Sequence, residues 1–162
     1  MKKIAVLFLC IMFITGCGKE ELLNIPEWMT TGTISKDYCI KNLGIGYEET
    51  NTENLFAYVW DDYELLRGYK GTLRTQASYD VDFFAWFWTI NVSEKDFNKI
   101  YNIIVSSLGD PVINSDNPEK MSYTFNFIKK QNDQSYYPLN LVYENNIVTI
   151  GWGYYYNSKE ES

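Results

Sequence analysis

The chain has 162 residues, a formal net charge of −7 at neutral pH, and no histidine. An acidic balance disfavours nucleic acid and anionic lipid surfaces as electrostatic partners. The absence of histidine removes the commonest proton shuttle at neutral pH, the commonest zinc ligand, and nucleophilic catalysis that depends on a histidine base.

The first seventeen residues have the layout of an export signal. Lys2 and Lys3 precede an apolar run from Ile4 to Ile14, and the small residues Thr15-Gly16 stand before Cys17. Charge, apolar run and small residues in this order are typical of a cleaved leader. The run is too short to cross the hydrocarbon core of a bilayer, which needs roughly twenty residues.

The stretch Ile14-Thr15-Gly16-Cys17 resembles the lipobox of bacterial lipoproteins. The resemblance implies cleavage of a signal peptide over residues 1–16, a diacylglycerol on the thiol of Cys17, and a fatty acyl chain such as palmitate on its new amine. Several acyl chains, each contributing about 0.8 kcal/mol per buried methylene, would anchor the protein in the cell envelope, on a membrane outside the cytoplasm. Lys19 rather than aspartate stands two places after Cys17, so the family's sorting habit favours the outer membrane where the organism has one. An ordinary secretory signal with an incidental cysteine is the alternative.

Cleavage before Cys17 changes the charge and the cysteine content. It removes two of the 14 basic residues, Lys2 and Lys3, and so shifts the formal charge from −7 to about −9. It also removes Cys10, and lipid on Cys17 leaves Cys39 alone, so we expect no internal disulfide. We predict that Cys39 is a small buried hydrophobe rather than a reactive thiol.

The mature chain is predicted to contain one domain, because about 145 residues suit a single core. The predicted boundaries are 17–33 for the lipidated cysteine and a tether, 34–156 for a single α+β domain, and 157–162 for a polar tail. Trp28 and Met29 lie in the predicted tether, and the sequence is compatible with their contacting either the membrane or the domain.

Caps and periodicity predict two helices. Ser93 is a favourable N-cap, an apolar stripe follows at helical spacing, and Gly109 can end the helix, which predicts a helix over Glu94 to Leu108. A shorter helix is predicted between Ser35 as N-cap and Gly44 as its end.

Runs of apolar residues predict strands around the longer helix. The candidates before it are Leu55–Trp60, Leu66–Thr75 and Phe83–Asn91, and those after it are Met121–Phe127 and two strands joined by a tight turn at Asn145-Asn146. The resulting order, α-β-β-β followed by α-β-β-β, favours a tandem repeat.

A helix, the stop Leu108-Gly109-Asp110-Pro111 and a strand meander, doubled in a small exported chain, is similar to the fold of β-lactamase inhibitor proteins and of small outer-membrane assembly lipoproteins. The resemblance is partial, because Leu43-Gly44-Ile45-Gly46 lacks the proline. It implies an α+β fold in which helices pack on one face of an antiparallel sheet and the other face is free to bind protein. No interface residue carries over, because no motif aligns residue by residue.

Carboxylates are the remaining enzymatic option. Asp80 and Asp82 would lie on one strand face, as the carboxyl pair of a glycosidase requires. Asp61, Asp62 and Glu64 carry oxygens suited to calcium, but they lack the calcium-loop pattern and lie where a turn is expected. Solvated turn residues are the commoner explanation for all five. We therefore predict a protein that is not an enzyme, with no catalytic residue, metal site or cofactor.

Aromatic side chains form the candidate binding surface. Trp86 and Trp88 share one face of their strand, and Trp152 and Tyr154 share a face of the last strand. Core packing explains most such residues, but "FFAWFW" is apolar on both faces, so we expect some of these aromatics at the surface.

Exposed tryptophan and tyrosine are typical of protein recognition, and their rings also stack on sugars. The sequence therefore predicts a membrane-anchored, non-enzymatic protein-binding module of the inhibitor, immunity or envelope-assembly type. The alternative is a lipoprotein that binds cell-surface carbohydrate through Trp86, Trp88 and the nearby Asp80 or Asp82.

Overall fold

The computed structural model describes residues 23–30, 35–51, 55–78, 83–129 and 136–155. A 3-10 helix (Glu27–Thr30) precedes two α-helices and eight strands: α1 (Lys36–Leu43), β1 (Tyr47–Asn51), β2 (Leu55–Leu66), β3 (Tyr69–Ser78), β4 (Phe83–Asn91), α2 (Glu94–Leu108), β5 (Val112–Asn117), β6 (Lys120–Lys129), β7 (Tyr136–Glu144) and β8 (Ile147–Tyr155). The strands form one antiparallel sheet in the order β1-β2-β3-β4-β8-β7-β6-β5. The predicted α+β class and antiparallel sheet are confirmed.

Helix α2 begins at the predicted cap. The backbone N–H of Asp96 donates to the Ser93 hydroxyl oxygen at 3.3 Å, and that hydroxyl donates to the Asp96 carboxylate at 2.9 Å. Hydrogen bonds from Lys99 and from Ser93 hold the pKa of Asp96 below its ordinary value. The two side chains therefore satisfy each other and the first turn of the helix.

Replacing Ser93 with alanine is expected to lower the free energy of unfolding by about 1 kcal/mol, because the first turn loses its acceptor. Urea denaturation followed by tryptophan fluorescence measures the change. Ser106→Ala is the matched control, since Ser106 is an exposed serine of the same helix whose hydroxyl bonds only a carbonyl one turn earlier. Equal destabilisation by the two substitutions would contradict the role of the cap.

Both helices end on a glycine, as predicted. Gly44 has φ +80° and Gly109 has φ +87°, a region that favours glycine. Each glycine N–H donates to the carbonyl four residues earlier, at 2.9 Å for Gly44 and 2.8 Å for Gly109. The helix limits predicted from the caps are confirmed.

Strand β2 continues through the position where a turn was predicted. The register with β3 shifts between Trp60 and Tyr63, and Asp62 has φ +57°, so the chain forms a bulge there. The turn lies instead at Arg67-Gly68, after Leu66. The predicted turn at Asp61–Glu64 was wrong, because aspartates that favour turns are equally compatible with a bulge.

The tight turn between β7 and β8 is confirmed. Asn145 and Asn146 have φ +53° and φ +64°, as a two-residue hairpin turn of the mirror-image type requires.

Two further strands, β1 and β5, were not predicted. They form the two edges of the sheet. Every residue of β5 is exposed or half-buried, so its sequence, VINSDN, shows no apolar alternation. Each helix is consequently followed by four strands rather than the three that were predicted.

The core lies on one face of the sheet and is rich in aromatic rings. Trp86 of β4 is directly opposite Trp152 of β8, with ring centroids 6.2 Å apart. Phe97 of α2 stacks on Tyr143 of β7 at 4.5 Å, and its ring also lies 6.4 Å from Tyr123 of β6. These contacts join α2 to the core cluster that also contains the tryptophans.

Residues 23–30 belong to the folded domain, which corrects the predicted tether over 17–33. Met29 is fully buried, and the ring of Trp28 meets that of Trp86 edge-on at 5.6 Å. The backbone N–H of Asn24 donates to the carbonyl of Leu65 at 2.8 Å. The segment shows little periodicity because a few anchor residues and one short 3-10 helix, rather than an α-helix or a strand, hold it in place.

The thiol of Cys39 is fully buried in the core, as predicted. Burial raises its pKa to about 12. The reactive thiolate is therefore scarce at neutral pH, and Cys39 packs as a small apolar residue.

No helix within the described ranges is long and apolar enough to span a bilayer.

Candidate functional site

The aromatic surface predicted from the sequence is in the core, which corrects that prediction. Trp86 and Trp88 have no exposed area, and Trp152 is 3% exposed. Trp86 and Trp88 therefore cannot contact a partner or stack on a sugar in this conformation, whereas Trp152 is among the residues that line the groove described below. Tyr154 lies on β8 by its backbone, and its side chain is outside the described residues, as are Asp80 and Asp82.

The polar groups of two buried indoles are used inside the domain. The Nε1–H of Trp88 donates to the carbonyl of Tyr63 at 2.9 Å, and that of Trp152 donates to the carbonyl of Met29 at 3.3 Å. The Nε1 of Trp86 has no hydrogen-bond partner in the part of the chain that the structure describes. Its neighbours are other rings, so the three tryptophans serve packing rather than recognition.

The opposite side of the sheet, which we call the open face, carries a different set of side chains. Arg74, Phe87, Gly151 and Asn140 lie directly opposite one another on β3, β4, β8 and β7. Because side chains alternate along a strand, this row points away from the row that contains Trp86 and Trp152.

A groove lies at the centre of the open face, and we call it the neutral groove. Its volume is about 500 Å³, within the range of small ligand sites. Ala85, Gly151 and Gly153 form its floor. Residues of β4, β7 and β8 line the rest, among them Phe87, Tyr137, Pro138, Asn140, Val142 and Thr149.

The two glycines create the hollow. A Cβ at Gly151 would lie 3.3 Å from the ring of Phe87, so the half-buried phenylalanine rests over the bare backbone. A Cβ at Gly153 would lie 2.3 Å from the carbonyl oxygen of Phe84, so β4 and β8 approach too closely there for a larger residue. Because Gly151 and Gly153 have no side chains, the surface of the sheet is depressed at these two positions.

A chain of polar side chains reaches the neutral groove from the edge of the sheet. The amide of Asn114 donates to the hydroxyl of Thr124 at 2.7 Å, and that hydroxyl donates to the Oδ1 of Asn140 at 2.9 Å. Asn140 therefore has a fixed carbonyl oxygen, and its Nδ2 has no partner among the described residues. The Nδ2–H of Asn140 is therefore an available hydrogen-bond donor at the wall of the groove.

The neutral groove is uncharged within an acidic protein. No described residue that lines it is charged. Two charge pairs lie on the open face: Arg74 pairs with Glu49, and Lys120 pairs with Glu144 at 3.1 Å. An apolar hollow whose described lining carries no charge is suited to burying an uncharged group.

The described carboxylates considered for chemistry, Asp61, Asp62 and Glu64, do not form a metal-binding group. Asp61 accepts a hydrogen bond from the hydroxyl of Thr72 at 3.1 Å, and Asp62 is exposed at the bulge. The described ranges contain no group of three or more side chains placed to hold a metal ion. The arrangement in the described part of the chain is suited to binding.

The groove was not predicted, although its signal is present in the sequence. Gly151 and Gly153 alternate with Trp152 and leave the opposite face of that strand thin. The sequence pattern that indicates the groove is a strand face without side chains, at the two glycines, next to the large ring of Phe87 on the neighbouring strand.

Comparison of the chain with family models, curated proteins and solved structures gives no match. The resemblance to β-lactamase inhibitor proteins and assembly lipoproteins therefore stays a prediction.

Proposed function

We propose that this protein is a membrane-anchored, non-enzymatic lipoprotein that binds another protein through the neutral groove. The observation that carries the proposal is an uncharged apolar groove on the open face of a domain whose chain has a net charge of −7. The cores of protein interfaces are depleted of charged residues in the same way. The aromatic residues predicted from the sequence are replaced in this role by Phe87, Tyr137 and Val142.

The anchor in this proposal is lipid on Cys17, which lies outside the described residues. Its support is the lipobox Ile14-Thr15-Gly16-Cys17. The packed segment begins at Leu23, and the link from Cys17 to Leu23 can reach roughly 20 Å when fully extended. The domain would therefore stay close to the surface of the envelope membrane, and its partner would be a protein at that surface.

We also infer that the domain is a tandem repeat of an α-β-β-β-β unit. Gly109 follows Gly44 by 65 positions, and both end a helix. The bulge between Glu48 and Thr50 of β1 recurs between Ile113 and Ser115 of β5, at the same separation. Matching helix ends and matching irregularities support duplication more strongly than element order does.

Packing of all helices on one face is part of the same proposal. Three contacts support it: Phe97 of α2 against Tyr143, Trp28 of the 3-10 helix against Trp86, and the buried Cys39 of α1 in the same core. The open face then remains available for the partner.

Site-specific photo-cross-linking in intact cells tests the proposed function. A photoreactive phenylalanine at Thr149, which lines the neutral groove, is expected to give a discrete cross-linked protein product on irradiation. The same amino acid at Ser106, an exposed residue of α2, is the matched control and is expected to give none of that product.

Absence of a discrete product from Thr149, or the same product from Ser106, would overturn the proposal that the groove is the binding surface.

A further inference from the structure

We infer that the neutral groove takes one aromatic side chain from an extended, uncharged segment of a basic protein. This inference rests on the proposed function and adds the chemistry of the partner.

The lining of the neutral groove favours an aromatic anchor. Phe87, Tyr137 and Pro138 provide flat, rigid walls, and Val142 adds an aliphatic one. The glycine and alanine floor lets a planar ring approach the backbone closely. Aromatic rings bury a large apolar area with few torsions to freeze, and they are the common anchors of protein interfaces.

The donor at the wall favours a peptide around that anchor. The Oδ1 of Asn140 is held by Thr124 at 2.9 Å, which leaves its Nδ2–H for a ligand. An extended segment that inserts a side chain presents backbone carbonyl oxygens on either side of it. One of these carbonyls is the acceptor that the Asn140 amide matches.

A sugar ring fits the same groove less well. Each ring carries several hydroxyl groups that need partners once water is removed. Among the described residues that line the groove, the polar side-chain groups besides the buried indole of Trp152 belong to Asn140, Thr149 and Tyr137, and the floor is glycine and alanine. A bound sugar would leave hydroxyl groups unpaired, which is costly for recognition.

Charge decides between a basic partner and a second copy of this chain. The chain carries −7 at neutral pH, so two copies repel each other at a distance. A basic protein is attracted by the same field, and its neutral segment can then enter a groove whose described lining carries no charge.

The test uses the full-length lipidated protein in phosphatidylcholine nanodiscs and three synthetic peptides. The first has a central tryptophan between glycines and lysines at both ends, the second has serine in place of tryptophan, and the third has glutamates in place of the lysines. Microscale thermophoresis measures each dissociation constant, with empty nanodiscs as the lipid control.

We expect the tryptophan peptide with lysines to bind at least about tenfold more tightly than either of the other two. Thr149→Arg, which places a long cation in the groove, is expected to weaken that binding about tenfold, and Asn140→Ala about fivefold. Ser106→Arg on α2 adds the same charge away from the groove and is expected to leave the affinity unchanged. Tryptophan fluorescence of each variant confirms that the core is intact.

Equal affinity for the tryptophan and serine peptides would overturn the inference, as would tighter binding of the glutamate peptide or no effect of Thr149→Arg. The inference would also be overturned by saturable binding of a chitin oligosaccharide that Thr149→Arg abolishes, because the occupant would then be a sugar. Association of the protein between separate nanodiscs would overturn it too, because the occupant would then be a second copy of the chain. A cross-link from Thr149 together with a failed peptide test would reject the anchor chemistry alone. Loss of the cross-link would reject the binding function itself.

Discussion

Gly71→Ala is expected to lower the free energy of unfolding by about 3 kcal/mol, because the strand has no room for a methyl group there. A Cβ at this position would lie 2.4 Å from the backbone carbonyl oxygen of Thr89 and 2.8 Å from the ring of Trp88. The indole of Trp88 crosses over Gly71 to donate to the carbonyl of Tyr63, which is opposite Gly71 in the sheet. Relief of the clash therefore requires either the loss of that hydrogen bond or a shift of β4.

Gly151→Ala is the matched control for this prediction. Its Cβ would lie 3.3 Å from the ring of Phe87, a side chain that can move. We expect a change within about 1 kcal/mol, because only a side chain has to shift. Urea denaturation followed by tryptophan fluorescence compares the two. Coincident unfolding curves for Gly71→Ala and Gly151→Ala would show that the close contact under Trp88 does not constrain the sheet.

Cys17→Ser is expected to abolish fatty acylation of the protein, since a serine hydroxyl cannot replace the thiol that receives diacylglycerol. Cells are fed an alkyne analogue of palmitate, the protein is isolated, and the incorporated label is measured. The wild-type chain is expected to incorporate the label, and the variant to remain at background. In the proposed lipoprotein, the loss of acyl chains would also remove the burial of lipid methylenes, each worth about 0.8 kcal/mol, that would anchor the protein.

Cys10→Ser is the matched control, because Cys10 lies in the apolar run of the signal and would be removed with it. Its incorporation of label is expected to equal that of the wild-type chain. An unlabelled wild-type protein, or full labelling of Cys17→Ser, would refute the lipoprotein assignment.

The helices were predictable because local signals define them completely. Ser93 and Gly109 mark the ends of α2 with side-chain and backbone hydrogen bonds that lie within a few residues. Phe97, Ile100 and Ile104, its buried residues, recur at helical spacing. Local chemistry of this kind can be read without knowledge of the tertiary fold.

The edge strands were not predictable from pattern, because they depend on distant partners. β1 and β5 are defined by pairing with β2 and β6. Their side chains stay largely in solvent, so burial imposes no alternation on the sequence. The same limit applies to the bulge at Asp62, which is visible only in the register with β3.

The position of the candidate site was mispredicted for a related reason. A period of two along β4 separates Trp86 and Trp88 from Phe87, but it does not say which of the two rows is buried in the core. That choice depends on tertiary contacts such as the ring of Trp28, which is distant from β4 in the chain and meets Trp86 edge-on. The tryptophans of β4 pack in the core, and the space beside Phe87 on the opposite face forms the groove.

The order of strands in the sheet has a consequence for biogenesis. β8 lies between β4 and β7, so in the described sheet the strand pairing that joins β1–β4 to β5–β7 depends on the last described strand. Until Ile147–Tyr155 arrives, β4 presents an unpaired edge with the sequence FFAWFWTIN. Exposed edges of this kind template aggregation. At typical synthesis rates the intervening residues take several seconds to follow, roughly 3 to 13 s. This interval is when the nascent chain most needs a chaperone.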